Sequence, residues 1–305
     1  MNYELIIVGA GPAGLTAGLY GARSGLKTLL LEKSMPGGQA ALTEIIENYP
    51  GYPQGVNGSK LMMSFLEQAL RFGMEFKSAE VTSVNFNALE KKVEAGSEMF
   101  TAKAVILATG GSPKYLSVPG EKEFHGKGVS YCATCDGPFF PDKKLIVVGG
   151  GDSAIEEAIF LTGYAREVIL VHRRDRLRAA RVLQERAMKN SKLHLCLNSV
   201  VEKIEGEQSV QKVVLKNVQT GETKEENADG VFVFIGSKPN TSFLQGVIDL
   251  DDQGYIITQK LLMTSVPGVF AAGDVRKKFL RQVSTAVGDG AEAAMAAERY
   301  IVGLE

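Results

Sequence analysis

The sequence predicts an α/β fold in which one strand–helix–strand unit is built twice, the second copy inserted into the chain of the first. Three observations predict it. Residues 9–32, GAGPAGLTAGLYGARSGLKTLLLE, are matched without a gap by residues 149–172, GGGDSAIEEAIFLTGYAREVILVH. Each copy follows an apolar strand, Leu5–Val8 or Leu145–Val148, and closes with a second, Thr28–Leu31 or Val168–Val171. Two further apolar runs, AVILATGGSP at 104–113 and VFVFIGSKPN at 231–240, both exit into Gly and Pro, as equivalent ends of two halves would.

The first turn of each copy carries the chemistry. Gly9, Gly11 and Gly14 fall on Gly149, Gly151 and Ala154, the spacing G-x-G-x-x-G/A of a dinucleotide-binding βαβ unit. The first glycine allows the tight turn, and the second lets backbone approach a pyrophosphate. The third position must be small so that helix and strand pack closely. The pyrophosphate then meets the N–H groups and the positive end of the helix dipole. Pro12 and Ala13, and in the second copy Asp152 and Ser153, open those helices. One such string arises by chance in a glycine-rich chain; two in register, flanked by the right strands, predict two Rossmann-like three-layer dinucleotide-binding domains.

The ends of the second strands tell the two sites apart. Glu32 ends the first, where a carboxylate accepts the hydroxyls of an adenosine ribose. His172 takes that place in the second, followed by Arg173 and Arg174, with Arg176, Arg178 and Arg181 close behind. A carboxylate repels a 2′-phosphate, whereas guanidinium forks bind one bidentately. The first site therefore suits FAD or NAD and the second NADP. A solvated helix face is the alternative reading of the arginine run.

Composition limits the rest. A chain of 305 residues fits about two domains. Lys+Arg 34 against Asp+Glu 35 leaves a net charge of −1, which argues against a nucleic-acid or membrane-surface partner. Hydrophobic residues make up 45% and charged residues 23%, ordinary globular values that exclude general disorder. Glycine, 34 of 305 or about 11% against a usual ~7%, predicts many tight turns and close backbone–ligand approaches. No apolar run is long enough to span a bilayer, and MNYELIIVGAG enters a strand directly, without a signal-peptide pattern. A cytoplasmic location is expected.

The expected layout is a discontinuous domain of 1–112 and 246–305 with an inserted domain of 113–245. The strand GVFAAGD and an amphipathic helix from about Ser284 to Val302 complete the first. Residues 80–100 and 200–225 read as β-ribbons packed on the two sheets, and Thr223–Asn227 as a hairpin turn.

Cys132-Ala-Thr-Cys135-Asp136 lies just before the second nucleotide unit. A C-x-x-C is either half a zinc site or a dithiol/disulfide couple. Zinc needs two more ligands, and Cys196, His125, His172 and His194 are not paired at ligand spacing. A redox couple needs an acid/base nearby, which Asp136 supplies if it is partly desolvated; Gly137-Pro138 also makes it a turn residue. Cys196 and His194, in the alternation LHLCL, read as structural, Cys196 as a buried core thiol.

Two dinucleotide units, an arginine pair after the second and CATCD between them together resemble the low-molecular-weight thioredoxin reductases over essentially the whole chain. Gly37-Gly38-Gln39, Glu47-Asn48-Tyr49-Pro50-Gly51, Ala108-Thr109-Gly110, Gly273-Asp274 and Arg281-Gln282 extend the match. The resemblance implies FAD at the first site, contacted by Glu32, Lys33, Gly38, Thr109, Gly110, Gly273 and Arg281. Asp274 would hold the ribitol chain, with Gln39, Asn48 and Gln282 near the isoalloxazine and the helix after Gln282 aiming its positive end at the pyrimidine oxygen. NADPH would occupy the second site, through Gly149, Gly151, Asp152, Ser153, Ala154, His172, Arg173, Arg174 and Arg178. Cys135 would face the flavin, Asp136 would manage its proton, and Cys132 would attack a thioredoxin-like disulfide, within a homodimer. Ferredoxin- or flavodoxin-dependent relatives lose the second glycine motif and the HRR segment; this chain keeps both. Pro138 stands where relatives often carry an aromatic residue, which leaves Phe139 and Phe140 as candidates for an apolar contact with the substrate protein or for core packing. A peroxidase-linked reductase of the same fold, and a flavin- or zinc-binding module without turnover, are the competing readings.

Overall fold

A computed structural model describes residues 2–303. The chain divides into two compact units, Met1–Ser112 with Lys238–Glu305, and Pro113–Ser237.

In the first unit, β1 (Asn2–Val8) is central. It pairs in parallel with β2 (Thr28–Glu32) on one side and β6 (Glu98–Leu107) on the other. β3 (Glu75–Ser78) extends the β2 edge, and β17 (Val269–Ala271) also pairs in parallel with β6. The register makes the core. Leu5 and Ile7 point to one face, where α1 (Pro12–Arg23), α2 (Gly58–Arg71) and α6 (Val283–Val302) cover them. Ile6 and Val8 point to the other, under Phe86, Phe100, Leu244 and Ile256. Alternate residues bury on opposite faces because the side-chain period of a strand is two, so a parallel strand covered on both sides reads as an unbroken apolar run.

The second unit repeats the plan. β8 (Val129–Ser130), β9 (Lys144–Gly149), β10 (Glu167–Val171), β11 (Leu193–Cys196) and β15 (Gly230–Phe234) form a parallel sheet in the order β11-β10-β9-β15-β8. The short helix α3 (Ala133–Asp136), α4 (Asp152–Leu161) and α5 (Arg181–Lys189) bury Leu145, Val147, Leu170 and Phe232 on one face. The opposite face packs on a three-stranded antiparallel sheet, β12 (Ser199–Gly206), β13 (Val210–Asn217) and β14 (Thr223–Asn227).

Four expectations change. The second boundary lies at 237/238 and not at 245/246. Residues 238–245 belong to the first unit because Asn240 hydrogen-bonds Thr109 and Gly110, Thr241 Oγ1 donates to the carbonyl of Gly254, and Leu244 is fully buried in the first unit's core. The ribbon within 80–100, β4 (Val81–Asn85) and β5 (Lys91–Ala95), is not a separate layer. It grows from the Glu98–Ala102 half of β6 and continues the same sheet. Thr223–Asn227 is a strand, paired antiparallel with Lys212–Lys216, and the turn falls before it, closed by the Gly221 N–H donating to Asn217. Cys196 is half-buried and not a core thiol, since β11 is an edge strand whose His194 and Leu195 are exposed.

The two crossings, β7 (Gly111–Pro113) and β16 (Ser237–Pro239), are each secured within one unit. In the first unit Ser112 Oγ bonds the Asn240 side chain at 2.8 Å. In the second the Lys114 N–H donates to the carbonyl of Gly236 at 2.9 Å.

Candidate active site: two nucleotide cradles and a disulfide

The first glycine turn is shaped by what it cannot hold. A Cβ on Gly14 would lie 1.8 Å from the carbonyl oxygen of Gly9, and one on Gly9 would lie 2.4 Å from that of Ala108. Both positions require glycine so that α1 can start directly against the strand ends. Gly11 has open space where its Cβ would be and caps α1 without a side chain, with Pro12 as the first helical residue. The backbone of Gly38 passes close over Gly11, so the floor and rim of the cradle are both bare backbone. Glu32 stands at its edge: Oε2 accepts from the Ala10 N–H at 2.8 Å and Oε1 from the Ser34 N–H at 2.9 Å. The carboxylate is fixed in place with acceptor capacity left for ribose hydroxyls. Lys33 turns outward to Glu80 at 3.5 Å.

The other end of this site is built by Asp274, Arg281 and Gln282. Asp274 follows Gly273, whose positive φ of 77° brings it within 2.8 Å of Ala13 for any added Cβ. Asp274 Oδ1 is buried and has no partner within the described chain. Burial pushes its carboxyl above the usual range, against the pull of the Lys278 and Arg281 charges. An orphaned buried carboxylate oxygen beside two bare glycine turns is the acceptor a polyhydroxylated chain would satisfy. The residues therefore fit FAD. Arg281 bonds the backbone of that turn, Nε to the Asp274 carbonyl at 3.4 Å, and lies 4.0 Å over the Tyr255 ring. Gln282 caps α6 in a capping box with Thr285, and its Oε1 accepts from Asn48 Nδ2 at 3.0 Å. Gln39 is exposed on the Gly38–Leu42 turn. Thr109 and Gly110 are held by Asn240, a residue the sequence singled out only as part of a crossing; its amide binds the Thr109 carbonyl at 2.9 Å.

The second cradle uses a different pair of small residues. A Cβ on Gly149 would meet the Phe234 carbonyl at 2.4 Å and the Ala154 methyl at 2.5 Å, so Ala154 is accommodated because position 149 has no side chain. Gly151 again opens onto free space and caps α4 without a side chain. Ser153 is exposed in the first turn, while Asp152 Oδ1 accepts the Ala180 N–H at 2.7 Å and so anchors the end of the arginine loop. His172 is buried beneath Gly150, where a Cβ would fall 2.3 Å from its Nδ1. Burial first, and then the charges of Arg178 and Arg174, hold its pKa below the ordinary imidazole value. Its Nε2 has no partner within the described chain. Arg173, Arg174, Arg176 and Arg178 are exposed and make no ion pair among the described residues, whereas Arg181 pairs with Glu185 at 2.9 Å. Four unpaired guanidinium groups at the end of β10 suit the 2′-phosphate of NADPH.

Cys132 and Cys135 are joined as a disulfide with Cα atoms 5.4 Å apart. Cys132 caps α3: the Cys135 N–H donates to its Sγ at 3.2 Å, and Thr134 Oγ1 lies 3.4 Å from the same sulfur. Ser130 fixes its backbone, Oγ accepting the Cys132 N–H at 3.1 Å. Just before it, the Tyr131 hydroxyl donates to the buried carboxylate of Glu121, which also accepts the N–H groups of Leu116 and Ser117. Glu121 is a residue sequence reasoning missed, because a lone Glu in a loop carries no pattern. Asp136 is half-buried at the end of α3. The two candidate aromatics separate: Phe139 is 77% exposed, and Phe140 packs edge-on to Phe232 at 5.5 Å.

Two glycine cradles and a cysteine couple on one chain are the parts of a disulfide reductase fed by a pyridine nucleotide, and the comparison with known families agrees. The model of the pyridine nucleotide-disulphide oxidoreductases matches residues 3–290. The chain belongs to that family. Among its relatives is a thioredoxin reductase of Peptoclostridium litorale, 50% identical across 98% of this chain and 97% of that protein. The crystal structure of Lactococcus lactis thioredoxin reductase in the FR conformation superposes with a TM-score of 0.97 at 45% identity, covering 99% of both chains. A ferredoxin-flavin thioredoxin reductase of Clostridium acetobutylicum is more distant, with a TM-score of 0.53 at 29% identity over 99% of this chain and 98% of that one. Like others of its family, this oxidoreductase uses FAD and NADPH. Among its described residues, no helix is long and apolar enough to cross a membrane.

Proposed function

We propose that this oxidoreductase is an NADPH-dependent thioredoxin reductase. The observation that carries the reading is the Cys132–Cys135 disulfide lying on the same unit as an arginine-lined nucleotide cradle. FAD supplies a two-electron carrier between a hydride donor and a disulfide. In the first unit, Gly9, Gly11 and Gly14 leave room for its pyrophosphate, Glu32 takes the ribose and Asp274 the ribitol hydroxyls. In the second, Gly149, Gly151 and Ala154 do the same for NADPH, and Arg173 and Arg174 select its 2′-phosphate.

Once the disulfide is opened, the dithiol does the remaining chemistry. Cys132 is the attacking thiolate, because its sulfur takes the hydrogen bond from the Cys135 N–H at the start of α3, which stabilises negative charge there. It attacks one sulfur of the oxidised substrate and expels the other as a thiolate. The Cys135 thiolate then displaces the mixed disulfide and restores the Cys132–Cys135 bond. Asp136 exchanges the proton of Cys135. Exposed Phe139, four residues after Cys135 in the chain, supplies apolar surface for a thioredoxin-like protein. The unpaired arginines favour NADPH over ferredoxin as the donor.

The nicotinamide site and the cysteine couple share one unit, and the flavin site lies on the other. Presenting both in turn to one reactive ring calls for rotation of the 113–237 unit about the two crossings. A homodimer is carried over from the resemblance, and sedimentation checks it.

Anaerobic titration tests the whole reading. NADPH should bleach the yellow protein, NADH and reduced ferredoxin should do so poorly, and oxidised thioredoxin should restore the colour. In Cys132→Ser, NADPH should still bleach the flavin while thioredoxin reduction falls by at least about 10³-fold, as for loss of a nucleophile. A colourless protein, or full thioredoxin reduction by Cys132→Ser, would defeat it.

A further inference from the structure

A buried charge cluster in the first unit backs the Gly273-Asp274 turn and is used neither by the Gly9–Gly14 turn nor by the cysteine couple. Asp289 sits in the second turn of α6 with its side chain 12% exposed. Its Oδ2 accepts from the Gly273 N–H at 2.9 Å and from Lys278 Nζ at 2.7 Å, and its Oδ1 accepts from Arg276 Nη1 at 2.9 Å. Lys278, 9% exposed, also donates to the Thr285 carbonyl in the first turn of α6 at 3.3 Å. Arg276 Nε reaches Thr258 Oγ1 at 3.2 Å. Arg281 bonds the carbonyls of Asp274 and Arg276. One carboxylate thus ties together the turn that presents Asp274, the strap 276–282 and the start of α6.

The charges in this cluster do not balance. Arg276, Lys278 and Arg281 face Asp274 and Asp289, an excess of one positive charge. That excess lies beside the N-terminus of α6, where the helix dipole is already positive and a lysine is disfavoured. A buried carboxylate with three charge-assisted partners tolerates its desolvation, but removing it strands two cations. Cations gathered against a helix N-terminus stabilise negative charge that arrives from outside the chain. We propose that Asp289 is a positioning residue of the flavin site: it fixes Asp274 relative to the α6 N-terminus, and its balance against Lys278 sets the potential at which bound flavin is reduced. The inference rests on FAD occupying the first cradle.

The test compares apoprotein of the wild type, Asp289→Asn and Lys278→Met, reading FAD affinity by flavin fluorescence and reduction potential against a reference dye without oxygen. Both variants should bind FAD at least about ten-fold more weakly, because each cuts a tie to the Asp274 turn or to α6. Their potentials should move in opposite directions. Asp289→Asn leaves more positive charge and should shift the balance about ten-fold towards reduced flavin, about 30 mV upward for a two-electron couple; Lys278→Met should shift it downward by a similar amount. A double variant should return towards the wild-type potential. Wild-type affinity and potential in both variants, or shifts of the same sign, would overturn the proposal, since a purely structural cluster has no reason to give opposite signs. If Asp289→Asn does not fold, Lys278→Met decides alone, by its downward shift or the lack of one. A wild-type apoprotein that fails to bind FAD defeats the flavin reading itself, an outcome separate from these.

Discussion

Single residues at this site do work that their neighbours define. Arg173 and Arg174 are informative because no carboxylate pairs with them among the described residues. Changing both to alanine should raise the KM for NADPH by about 10²-fold, the loss of two charge-assisted contacts, and leave that for NADH almost unchanged. An equal effect on both nucleotides in steady-state kinetics would reduce the run to a solvated face. Glu157 on α4 poses a different question. Its Oε2 is buried without a partner, and burial, reinforced by Glu156, raises its pKa from 4.5 to about 7. The folded state then holds a proton that the unfolded chain releases between these values. Its contribution is neutral below the unfolded pKa, becomes a penalty that grows as pH rises from that value to the folded one, and is complete above both. Glu157→Gln should therefore have little effect on stability at about pH 4 and stabilise by up to about 3 kcal/mol at about pH 8. Urea unfolding at the two pH values measures the difference, and a gain independent of pH would contradict it.

At the scale of elements, the two βαβ units obey one rule by different means. The helix must begin against the strand, so something small must stand where helix and turn meet. In the first copy the close partner of Gly14 is a backbone carbonyl, which cannot move aside; in the second, the Ala154 methyl fills the space left bare at Gly149. Gly14→Ala should therefore displace the turn, cost about 1–3 kcal/mol by overpacking and release FAD. Flavin retention through gel filtration checks this, together with the melting temperature. Unchanged flavin content would mean that the turn is softer than its geometry implies. Element periodicity was legible wherever strands were buried on both faces, as in Leu5–Val8 and Leu145–Val148. It failed at Thr223–Asn227, because an exposed polar strand carries turn-like composition and is set by its pairing with β13.

For the whole molecule, the division into units decides what turnover requires. A bifunctional cross-link that joins the two units should stop steady-state thioredoxin reduction and leave one half-reaction intact, either flavin reduction by NADPH or discharge to the disulfide. Stopped-flow absorbance distinguishes the two, and undiminished turnover of the locked protein would rule out the rotation. The second boundary shows how this scale escapes a linear reading. Residues 238–245 look like the tail of the inserted half, yet Asn240 closes onto the loop at Thr109 and Leu244 onto core residues far away in sequence.

The repeat, the glycine spacing, the acid-versus-arginine contrast at Glu32 and His172, and the C-x-x-C were fixed by the sequence alone, since each depends on local geometry that short spacings encode. Tertiary structure decided the rest: the hold of Asn240 on Thr109, the Glu121 anchor before Cys132, the burial that orphans Asp274, and the hub at Asp289. These depend on desolvation and on partners brought together from distant stretches of chain, and no local pattern records how much water a carboxylate has lost or which cation stands beside it.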